Sequence, residues 1–539
     1  SLRSRCSRKP IKIKAGEYIS VMRFGAAIFA AAAAVGAPAG AIWSNDPVRN
    51  LVLADGASEQ VQAKIVARAD GGFYVSWFDN ATGGYDVRLQ RLSATGTEMW
   101  PHNGILVADR GLSSTTDYGL AVDATGNALL AFNDDSQPNE RIVAAKISPD
   151  GIALWGTPGI AVSTSSGFLA SPRIAGTDDG DAVVAWVQDA DTVLQRLDPA
   201  GAKLWATDGL LLAHSGDSFV LADLEATGSN GGLDTGNVIV SWVRYVTFQG
   251  AKHLWAQKLD PDGLPLWGAG HVHVFDLAGG SLQFGNFPGF ESDGVGGAVF
   301  AWYTSTPALQ VRAQRILAAG TEAFAHDGVE VSTNAAQLRV NPSAAFDPAS
   351  GEVTTFWVEE NSLQSQFGLY GQRLDGAGTR LWGATGTAFV ALGGNEISQV
   401  RVLPVATVIF AGGADPGTSG NSGELGPPPL LGSDVFVAWA EAINVDNQRI
   451  LAARVDPTGS FVWTPSIVDV KSLLAATSTS RLAGALSSDG FAAFAWTDGD
   501  ATRDLKAQNL NLDGTLGATP FFADGFETGT PGNWSGTVP

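Results

Sequence analysis

The chain is nearly free of cysteine: its 539 residues include one, Cys6, together with two methionines. A single cysteine excludes a disulfide framework and any metal site built from cysteine ligands in the body of the protein. The chain also lacks the G-x-S-x-G, H-E-x-x-H, P-loop and dinucleotide-binding motifs. The common one-segment signatures of hydrolases and nucleotide-binding proteins are therefore absent.

Positive charge is scarce as well. Charged residues make up 16% of the chain, and 54 acidic residues outnumber 33 basic ones, for a net charge of −21. Without residues 1–41, 53 acidic residues would face 26 basic ones, a net charge of −27. Such a surface repels nucleic acid and anionic lipid and attracts cations, so we expect no nucleic-acid partner. The 45% hydrophobic content allows a large core, and the 66 glycines indicate an all-β protein with many turns.

The amino-terminal residues are predicted to direct export. From Met22 to Ala41 the chain has one basic residue, Arg23, then an alanine-rich apolar stretch and small residues at Ala39 and Ala41 that fit an A-x-A cleavage site. This pattern indicates a secretory signal peptide over 22–41, preceded by untranslated or leader residues 1–21. A membrane anchor is disfavoured because the apolar run is short and its side chains are small. We expect a secreted or cell-surface protein with no transmembrane segment after signal removal.

One unit, represented by Gly180 to Ala213, recurs eight times between Lys64 and Gly517. It contains an apolar run ending in Trp186, a polar loop, an alternating strand, a D-P-x-G turn, the motif L-W-x-x-x-G and a last apolar strand. A weaker strand precedes each unit, so four strands recur about every 55 residues. This predicts an eight-bladed β-propeller of four-stranded antiparallel blades. A β-solenoid is the runner-up, disfavoured because its coils are usually shorter and its ends need caps.

The phase of the repeat predicts how the ring closes. The propeller region, 42–518, begins with an orphan fourth strand at Leu51 to Asp55 and ends with an eighth unit that lacks one. Pairing the two would remove both exposed edges. A competing possibility is that Pro520 to Ala523 supplies the missing strand. Residues 411–431, rich in Gly, Pro and Ser, are predicted to form a flexible insertion, and residues 519–539 a carboxyl-terminal tail.

The recurring Q-R-L-D-x-x-G-x-x-L-W-G, seen at Gln195 to Trp205 and Gln372 to Gly383, resembles the repeat of large exported bacterial β-propeller proteins. The resemblance implies a propeller fold and export, and it implies no particular activity. The closing F-A-D-G-F-E-T-G-T-P-G-N-W is similar to a short F-x-D-G-F-E tail of secreted bacterial proteins, which implies export or surface display.

A candidate site follows the buried aromatic residue that ends each second strand. Two residues after this anchor, the eight repeats have Asp79, Asp134, Gln188, Arg244, Thr304, Glu359, Glu441 and Asp498. If the last and first blades adjoin, the five carboxylates occupy five consecutive blades and form one arc on the channel face, where propellers usually bind ligands. An acidic residue after a strand is usually a solvated turn residue, and that is the simplest interpretation.

Oxygen-rich clusters suit a hard cation, so the arc predicts Ca²⁺ as a possible cofactor, held by Asp79, Asp134, Glu441 and Asp498. The catalytic candidates are Asp79, Asp498 and Glu441 as acid and base, with Arg244 opposite as an anion anchor. Among these eight positions the expected ligand contacts are Asp79, Asp134, Gln188, Arg244, Glu359, Glu441 and Asp498.

The aromatic and histidine residues admit two interpretations each. The anchor tryptophans suggest sugar stacking, but packing between blades is the simpler interpretation because they end the most apolar strand. His271 and His273 alternate on one strand face and could pair on a metal, although a surface pair is simpler. His102 and His326 occupy equivalent places in repeats one and five, before Asn or Asp and then Gly, which indicates a turn role.

These patterns favour a secreted or surface-displayed propeller that binds an extracellular carbohydrate, protein or cation-bridged ligand. We expect this protein to be a monomer. The alternative is an extracellular metal-assisted hydrolase or polysaccharide lyase that uses the carboxylate arc on the channel face.

Overall fold

The computed structural model describes residues 42–111, 117–135, 139–164, 167–214, 216–228, 230–405, 434–444, 446–473, 477–499 and 503–518. The predicted leader, signal peptide, 411–431 insertion and 519–539 tail lie outside these residues. No helix in the described ranges is long and apolar enough to cross a membrane.

Eight small antiparallel sheets are arranged in a ring, which confirms the eight-bladed β-propeller. Blade 1 comprises β2 Gln60–Ala67, β3 Phe73–Asp79, β4 Asp86–Leu92 and β5 Ile105–Ala108. Blade 2 comprises β6 Gly119–Val122, β7 Ala128–Asp134, β8 Arg141–Ile147 and β9 Ile160–Ala161. Blade 3 comprises β10 Leu169–Gly176, β11 Ala182–Gln188, β12 Asp191–Leu197 and β13 Leu210–Leu212. Blade 4 comprises β14 Ser218–Ala226, β15 Val238–Tyr245, β16 His253–Leu259 and β17 Val272–Phe275.

The second half of the ring repeats this order with one variation. Blade 5 comprises β18 Ser281–Leu282, β19 Phe290–Ser292, β20 Ala298–Thr306, β21 Gln310–Ile316 and β22 Val329–Glu330, so two short strands replace its first strand. Blade 6 comprises β23 Gln337–Asp347, β24 Glu352–Asn361, β25 Phe367–Leu374 and β26 Thr387–Gly393. Blade 7 comprises β27 Glu396–Pro404, β28 Val435–Asn444, β29 Asn447–Val455 and β30 Val468–Lys471. Blade 8 comprises β31 Thr479–Leu486, β32 Ala492–Asp498, β33 Asp504–Leu510 and β1 Leu51–Ala54.

The ring closes through its amino-terminal strand, as the phase of the repeat predicted. Strand β1 pairs antiparallel with β33, placing Leu51 opposite Ala507. The Asn50 side chain, from the residue before β1, donates to the Val470 carbonyl at 2.8 Å and so ties β1 to blade 7 as well. Because β1 occupies the outer edge of blade 8, closure by Pro520 to Ala523 is wrong, although those residues lie outside the described ranges.

In the described residues the hydrophobic core forms eight clusters, and each cluster joins two neighbouring blades. One of the eight joins blade 8 to blade 1. The anchor tryptophans of the second strands are fully buried in these clusters: Trp77, Trp186, Trp242, Trp302, Trp357, Trp439 and Trp496. Their burial confirms that these tryptophans pack between blades, since an indole with no exposed surface cannot stack on a sugar.

The glutamine and the basic residue of the repeat each organise one end of a blade. In blade 3, buried Gln195 accepts the Trp205 backbone N–H at 3.1 Å and donates to the Ala206 carbonyl at 2.7 Å, which fixes the loop after the third strand. The next residue, Arg196, is fully buried and binds Asp181 at 2.7 Å. Equivalent pairs join Arg91 to Asp70, Lys146 to Asp123, Lys258 to Asp234, Arg315 to Asp293, Arg373 to Asp347 and Arg454 to Asp434.

The second tryptophan of the repeat links seven of the eight blades to the next one; blade 5 has Phe324 in this place. Trp205 of blade 3, for example, donates its indole N–H to the Pro261 carbonyl of blade 4 at 2.9 Å. The same bond joins Trp43 to Ala94, Trp100 to Pro149, Trp155 to Pro199, Trp267 to Ala318, Trp382 to Pro457 and Trp463 to Leu512. The D-x-x-G turn ends in glycine because the indole of this tryptophan packs against it. A Cβ on Gly201, whose φ is +90°, would lie 3.0 Å from the Trp155 side chain.

Candidate functional site

The five carboxylates of the predicted arc lie at the ends of second strands in five consecutive blades. Core packing of blade 8 on blade 1 makes Asp498 and Asp79 members of neighbouring blades. All five side chains are buried. They are therefore not the solvated turn residues of the simplest interpretation, and their neighbours determine what they do.

Three of the arc carboxylates are bound to basic side chains of their own blade or of the neighbouring blade. Asp79 forms an ion pair with the Arg88 guanidinium at 2.6 Å, and Glu441 accepts a hydrogen bond from Arg449 at 3.0 Å. Asp498 contacts both Lys471, at 2.5 Å, and Lys506. Burial opposes ionisation of Asp498, but the two ammonium groups outweigh it and lower the pKa of its carboxyl group. These contacts make the three acids components of structural ion pairs.

The other two arc carboxylates also face arginines. Glu359 lies 3.2 Å from Arg339 and accepts the indole N–H of Trp357 at 2.7 Å. Burial nevertheless raises the pKa of Glu359. Asp134 lies near the buried Arg110. Burial lowers the pKa of Arg110 to about 10, although the negative charges of Asp135 and Asp134 act in the opposite direction. Each arc acid is thus accompanied by a protein cation.

The three non-acidic members of the set have local roles. Arg244, the predicted anion anchor, binds Asp217 at 2.8 Å and lies over the Trp255 ring. The Thr304 hydroxyl donates to the Ala308 carbonyl at 2.8 Å and closes the β20–β21 hairpin. Gln188 is half-buried at the end of β11, opposite Asp191 on β12.

The arc does not assemble one cation site in the part of the chain that the structure describes. Among those residues, one group of three or more His, Cys, Asp or Glu side chains brings its ligand atoms together, and it contains no arc residue. Ca²⁺ binding by Asp79, Asp134, Glu441 and Asp498 therefore stays a prediction. A cation there would have to compete with the ion pairs just described.

A cavity of about 810 Å³ lies on the axis of the ring, where the first strands of the blades adjoin one another. Its wall is built mainly from β10, β14, β19, β23, β27 and β31, the first strands of blades 3 to 8. The segment between β18 and β19 also lines it, including Gly285 and Phe287. This cavity is called the central channel below.

Bulges in the first strands direct side chains towards the channel. The pairing of first and second strands shifts at the same place in most blades, for example between Ser398 and Arg401 and between Ser480 and Ala483. A left-handed residue lies at this shift in five blades: Gln62, Ser171, Asn341, Gln399 and Arg481. Bulges with unusual backbone angles often re-aim side chains at functional sites.

One side of the channel carries a chain of ion pairs that crosses four blades. Asp117 of blade 2 binds Lys64 of blade 1 at 2.9 Å and Arg173 of blade 3 at 2.7 Å. Arg173 reaches onward to Asp223 of blade 4 at 3.4 Å. Burial opposes ionisation of Asp117, but the two cations lower its pKa to about 2. These four groups neutralise one another and connect the blades.

Two other acidic side chains of the channel, Glu225 and Glu291, lack such ion-pair partners in the described part of the chain. Among the described residues, no basic group lies within ion-pair distance of Glu225 on β14 or Glu291 on β19. Both are accessible to channel water but surrounded by protein. Desolvation, followed by the field of Asp223, raises the pKa of Glu291 to about 7 and also raises that of Glu225. Near neutral pH the Glu291 carboxyl group can therefore hold a proton, and the same desolvation disfavours ionisation of Glu225.

The facing wall carries two arginines without carboxylate partners. Within the described residues, no acidic group lies within ion-pair distance of Arg401 on β27 or Arg481 on β31. Desolvation, followed by the charge of Arg481, lowers the pKa of Arg401. Gln399 positions the Arg481 segment, because its side chain donates to the Thr479 carbonyl at 2.9 Å and accepts the Leu482 N–H at 2.7 Å. The two guanidinium groups are thus held towards one cavity.

Sequence reasoning missed the channel residues because it was anchored on the second strands. The first strands are the least regular part of the repeat, since their bulges disrupt the alternation of apolar and polar residues. A signal was present, however: charged residues recur within these strands at Lys64, Arg173, Glu225, Arg401 and Arg481. Aligning the first strands of all repeats would have shown that they differ from blade to blade, unlike the structural motifs.

Comparisons with known proteins give distant structural neighbours alone. No family model matches the chain, and no curated protein matches it. Prolyl oligopeptidase B from Galerina marginata is similar at 10% identity and a TM-score of 0.40, over 83% of this chain and 56% of that protein, so the chain spans little more than half its length. Polysaccharide lyase Uly1 is similar at 10% identity and a TM-score of 0.38, over 85% of this chain and 91% of that protein.

A third solved structure, the β-propeller domain of the Trilobed protease from Pyrococcus furiosus, has 8% identity and a TM-score of 0.38, covering 77% of this chain and 97% of that domain. These distant neighbours are proteases and a lyase. TM-scores below 0.5 carry no argument about what this chain binds.

Proposed function

We propose that the protein is an exported β-propeller that binds an anionic ligand in its central channel. The observation that carries the proposal is the pair Arg401 and Arg481, two guanidinium groups on one cavity wall that no carboxylate of the described residues neutralises. Guanidinium groups bind carboxylate, sulfate and phosphate through paired hydrogen bonds. The volume of about 810 Å³ falls within the usual range of small-ligand sites.

The charge of the channel contrasts with that of the whole chain. Four basic groups, Lys64, Arg173, Arg401 and Arg481, face four acidic groups, Asp117, Asp223, Glu225 and Glu291. When Glu225 and Glu291 hold protons, the channel carries an excess of two positive charges inside a protein whose net charge is −21. An anion is then attracted to this site specifically.

The polar wall favours a saccharide that bears carboxylate groups. Beside the arginines, the channel presents the hydroxyl groups of Ser171, Ser343 and Ser398 and the amides of Asn341 and Gln399. Hydroxyl and amide groups hydrogen-bond to sugar hydroxyls, while the arginines would bind a uronic-acid carboxylate. An acidic oligosaccharide matches both features.

Calorimetric titration with galacturonic- and glucuronic-acid oligomers tests this proposal. We expect binding to weaken at least about 100-fold when Arg401 and Arg481 are both changed to Gln, because two charge-assisted contacts are lost. The matched control is Arg49→Gln, which removes the same charge from an exposed side chain. Neutral oligomers of equal length should bind poorly. Equal affinity of the double variant and the wild type for acidic oligomers would overturn the proposal.

A second candidate function, cleavage of such a saccharide, is favoured by one observation. The Glu291 carboxyl group, with its pKa raised to about 7, can hold a proton near neutral pH and lies in the cavity that contains the arginines. A carboxyl group in that state can act as a general acid or base of a hydrolase or lyase. Product formation that Glu291→Gln abolishes, with oligomer binding retained, would establish the enzyme; binding without product would leave a binding module.

Export is tested separately. We expect the chain recovered from the culture medium of a bacterial host to begin after Ala41, as judged by mass spectrometry of its amino terminus. A chain that retains residues 22–41 in the cytoplasm would contradict this part of the proposal and leave the channel unaffected.

A further inference from the structure

A second group of side chains converges far from the channel, between the outer strands of blades 4 and 5. Asp276 follows β17, and His326 and Asp327 lie in the turn before β22. Each offers one ligand atom, and these atoms all lie within 4.8 Å of one another. His326 Nε2 is 3.0 Å from Asp276 Oδ1, and the Asp276 backbone N–H donates to Asp327 Oδ1 at 2.8 Å. One imidazole nitrogen and two carboxylates therefore meet; we call this group the Asp276 cluster.

Neighbouring side chains orient the cluster. His326 Nδ1 lies 3.1 Å from the Glu322 carboxylate, so the ring presents Nε2 to Asp276. The other oxygen of Asp276 is 2.9 Å from His273 Nδ1, and the His273 ring stacks on Trp255 with centroids 4.0 Å apart. A carboxylate on the far nitrogen of a histidine is the usual outer-sphere arrangement of metal-binding histidines, because it fixes the ring and increases its basicity.

Asp327 is the residue of the cluster with a carboxylate oxygen to which no group of the described residues donates a hydrogen bond. Its side chain is buried, with 8% of the residue exposed, and Oδ1 accepts the Asp276 N–H. Among the described residues, no donor bonds to its other carboxylate oxygen. That oxygen is not sealed from solvent, so an ion can reach it, and a cation there would offset the repulsion between the Asp327 and Asp276 carboxylates.

Blade 1 provides an internal comparison. There, Asp55 Oδ1 is 3.2 Å from His102 Nε2, and His102 Nδ1 is 3.1 Å from Glu98, so the same acid, histidine and glutamate recur. The residue after His102 is Asn103, whose Oδ1 accepts the Asp55 N–H at 2.9 Å. Asn103 Nδ2 is 3.5 Å from Asp55 Oδ1, as a weak donor.

The comparison separates the turn role from a further role. Asn103 and Asp327 both have left-handed backbone, with φ of 68° and 67°, and both accept the same backbone N–H. Asparagine therefore fulfils the structural task, and its amide group faces the neighbouring carboxylate favourably. Aspartate in this place adds a negative charge that the turn does not require, next to Asp276.

We propose that Asp276, His326 and Asp327 bind a divalent transition-metal ion of the Zn²⁺ class. One imidazole and two carboxylates are a ligand set that Zn²⁺ accepts, with a fourth position left for water. His326 and Asp276 are accessible to solvent, with 55% and 29% of their side chains exposed, so an ion can reach them. The ion would bridge the outer strands of blades 4 and 5, and the proposal is independent of the channel.

Titration of the chelator-treated, full-length chain with ZnCl₂ tests this site, with Co²⁺ absorption in the visible range as a second readout. We expect one Zn²⁺ per chain at this site. Asp327→Asn and His326→Gln should abolish it, and Glu322→Gln, which removes the outer carboxylate, should weaken it about 10-fold. Asp327→Asn retains the hydrogen bond of the turn, as Asn103 does in blade 1, so folding is preserved.

The reciprocal change tests the comparison between the two blades. Asn103→Asp gives blade 1 the ligands of the Asp276 cluster and should raise the stoichiometry from one Zn²⁺ to two. A wild-type chain that binds no Zn²⁺, or binding that Asp327→Asn leaves unchanged, would overturn the proposal. Binding of Ca²⁺ in place of Zn²⁺ would overturn the assigned class of metal, and an unchanged stoichiometry in Asn103→Asp would refute the role given to the aspartate.

Discussion

The acidic residues that end the second strands differ from those of the central channel in their surroundings. Asp79 is buried against Arg88 of its own blade, and Asp498 against Lys471 of the preceding blade. Glu225 and Glu291 face the channel without an ion-pair partner in the described residues, and desolvation raises the pKa of both carboxyl groups. The first kind of acid stabilises a blade through paired charges. The second kind lowers stability when ionised, which indicates a role in binding or chemistry.

The same contrast divides the basic residues. Arg88 and Arg449 are each bonded to an arc carboxylate. Arg401 and Arg481 lie on the same wall of the channel; desolvation, followed by the charge of Arg481, lowers the pKa of Arg401. Unpaired like charges held together by bulged strands cost stability unless an anion binds between them.

The largest expected effect comes from breaking an arc pair. Asp498→Ala leaves Lys471, which is fully buried, and Lys506 without their carboxylate. Removing one partner of a buried ion pair typically costs about 3–5 kcal/mol. We expect a loss of that size in the free energy of unfolding, measured by urea denaturation at pH 7.

The control for this change is Glu396→Ala, which removes an exposed acid of β27 and should stay within about 0.5 kcal/mol of the wild type. If Asp498→Ala were as mild as the control, the ion pairs of the arc would not be structural, and a ligand role for the arc would regain support.

A smaller effect of opposite sign is expected in the channel. Glu291→Gln should increase the free energy of unfolding at pH 8 by on the order of 1 kcal/mol, because it removes an ionised carboxylate from a desolvated place. The full pKa displacement would give more, but channel water screens the charge. Urea denaturation at several pH values measures the gain.

The pH dependence follows from the sign of the shift. The folded state raises the pKa of Glu291 from 4.5 to about 7, so its favourable contribution is complete below pH 4.5 and is lost as the pH rises to about 7. The gain in Glu291→Gln should therefore vanish near pH 4 and appear between these two values. A gain that is constant from pH 4 to pH 8 would mean that Glu291 does not titrate in this window.

The fold was predictable because the repeat encodes the contacts between blades. The glutamine, the basic residue, the turn glycine and the second tryptophan keep the same local role in most blades, as Gln195, Arg196, Gly201 and Trp205 illustrate. The orphan strand at Leu51 also followed from counting strands. These features recur, so eight copies of weak local evidence reinforce one another.

The channel was not predictable in the same way, because its residues do not recur. Glu291 lies on β19, because blade 5, unlike the other described blades, has two short strands in place of its first strand. Arg481 lies at a bulge in the pairing of β31 with β32. The cations that neutralise the arc also escaped the sequence pattern: Lys471, for example, comes from the last strand of blade 7 and binds Asp498 of blade 8. Contacts between blades depend on packing that a single repeat does not reveal.

The smallest expected effect tests whether an arc position needs its cation. Gln188 occupies that position in blade 3, directly opposite Asp191, whereas Glu441 of blade 7 is opposite Arg449. Gln188→Glu places like charges opposite each other and should destabilise the protein by about 0.2–1 kcal/mol, while Gln188→Arg should stabilise it by a similar amount. In 1 M NaCl, where the Debye length is about 3 Å, the two variants should converge in urea denaturation. Shifts in the same direction at low salt would show that packing at Gln188, and not charge, determines the outcome.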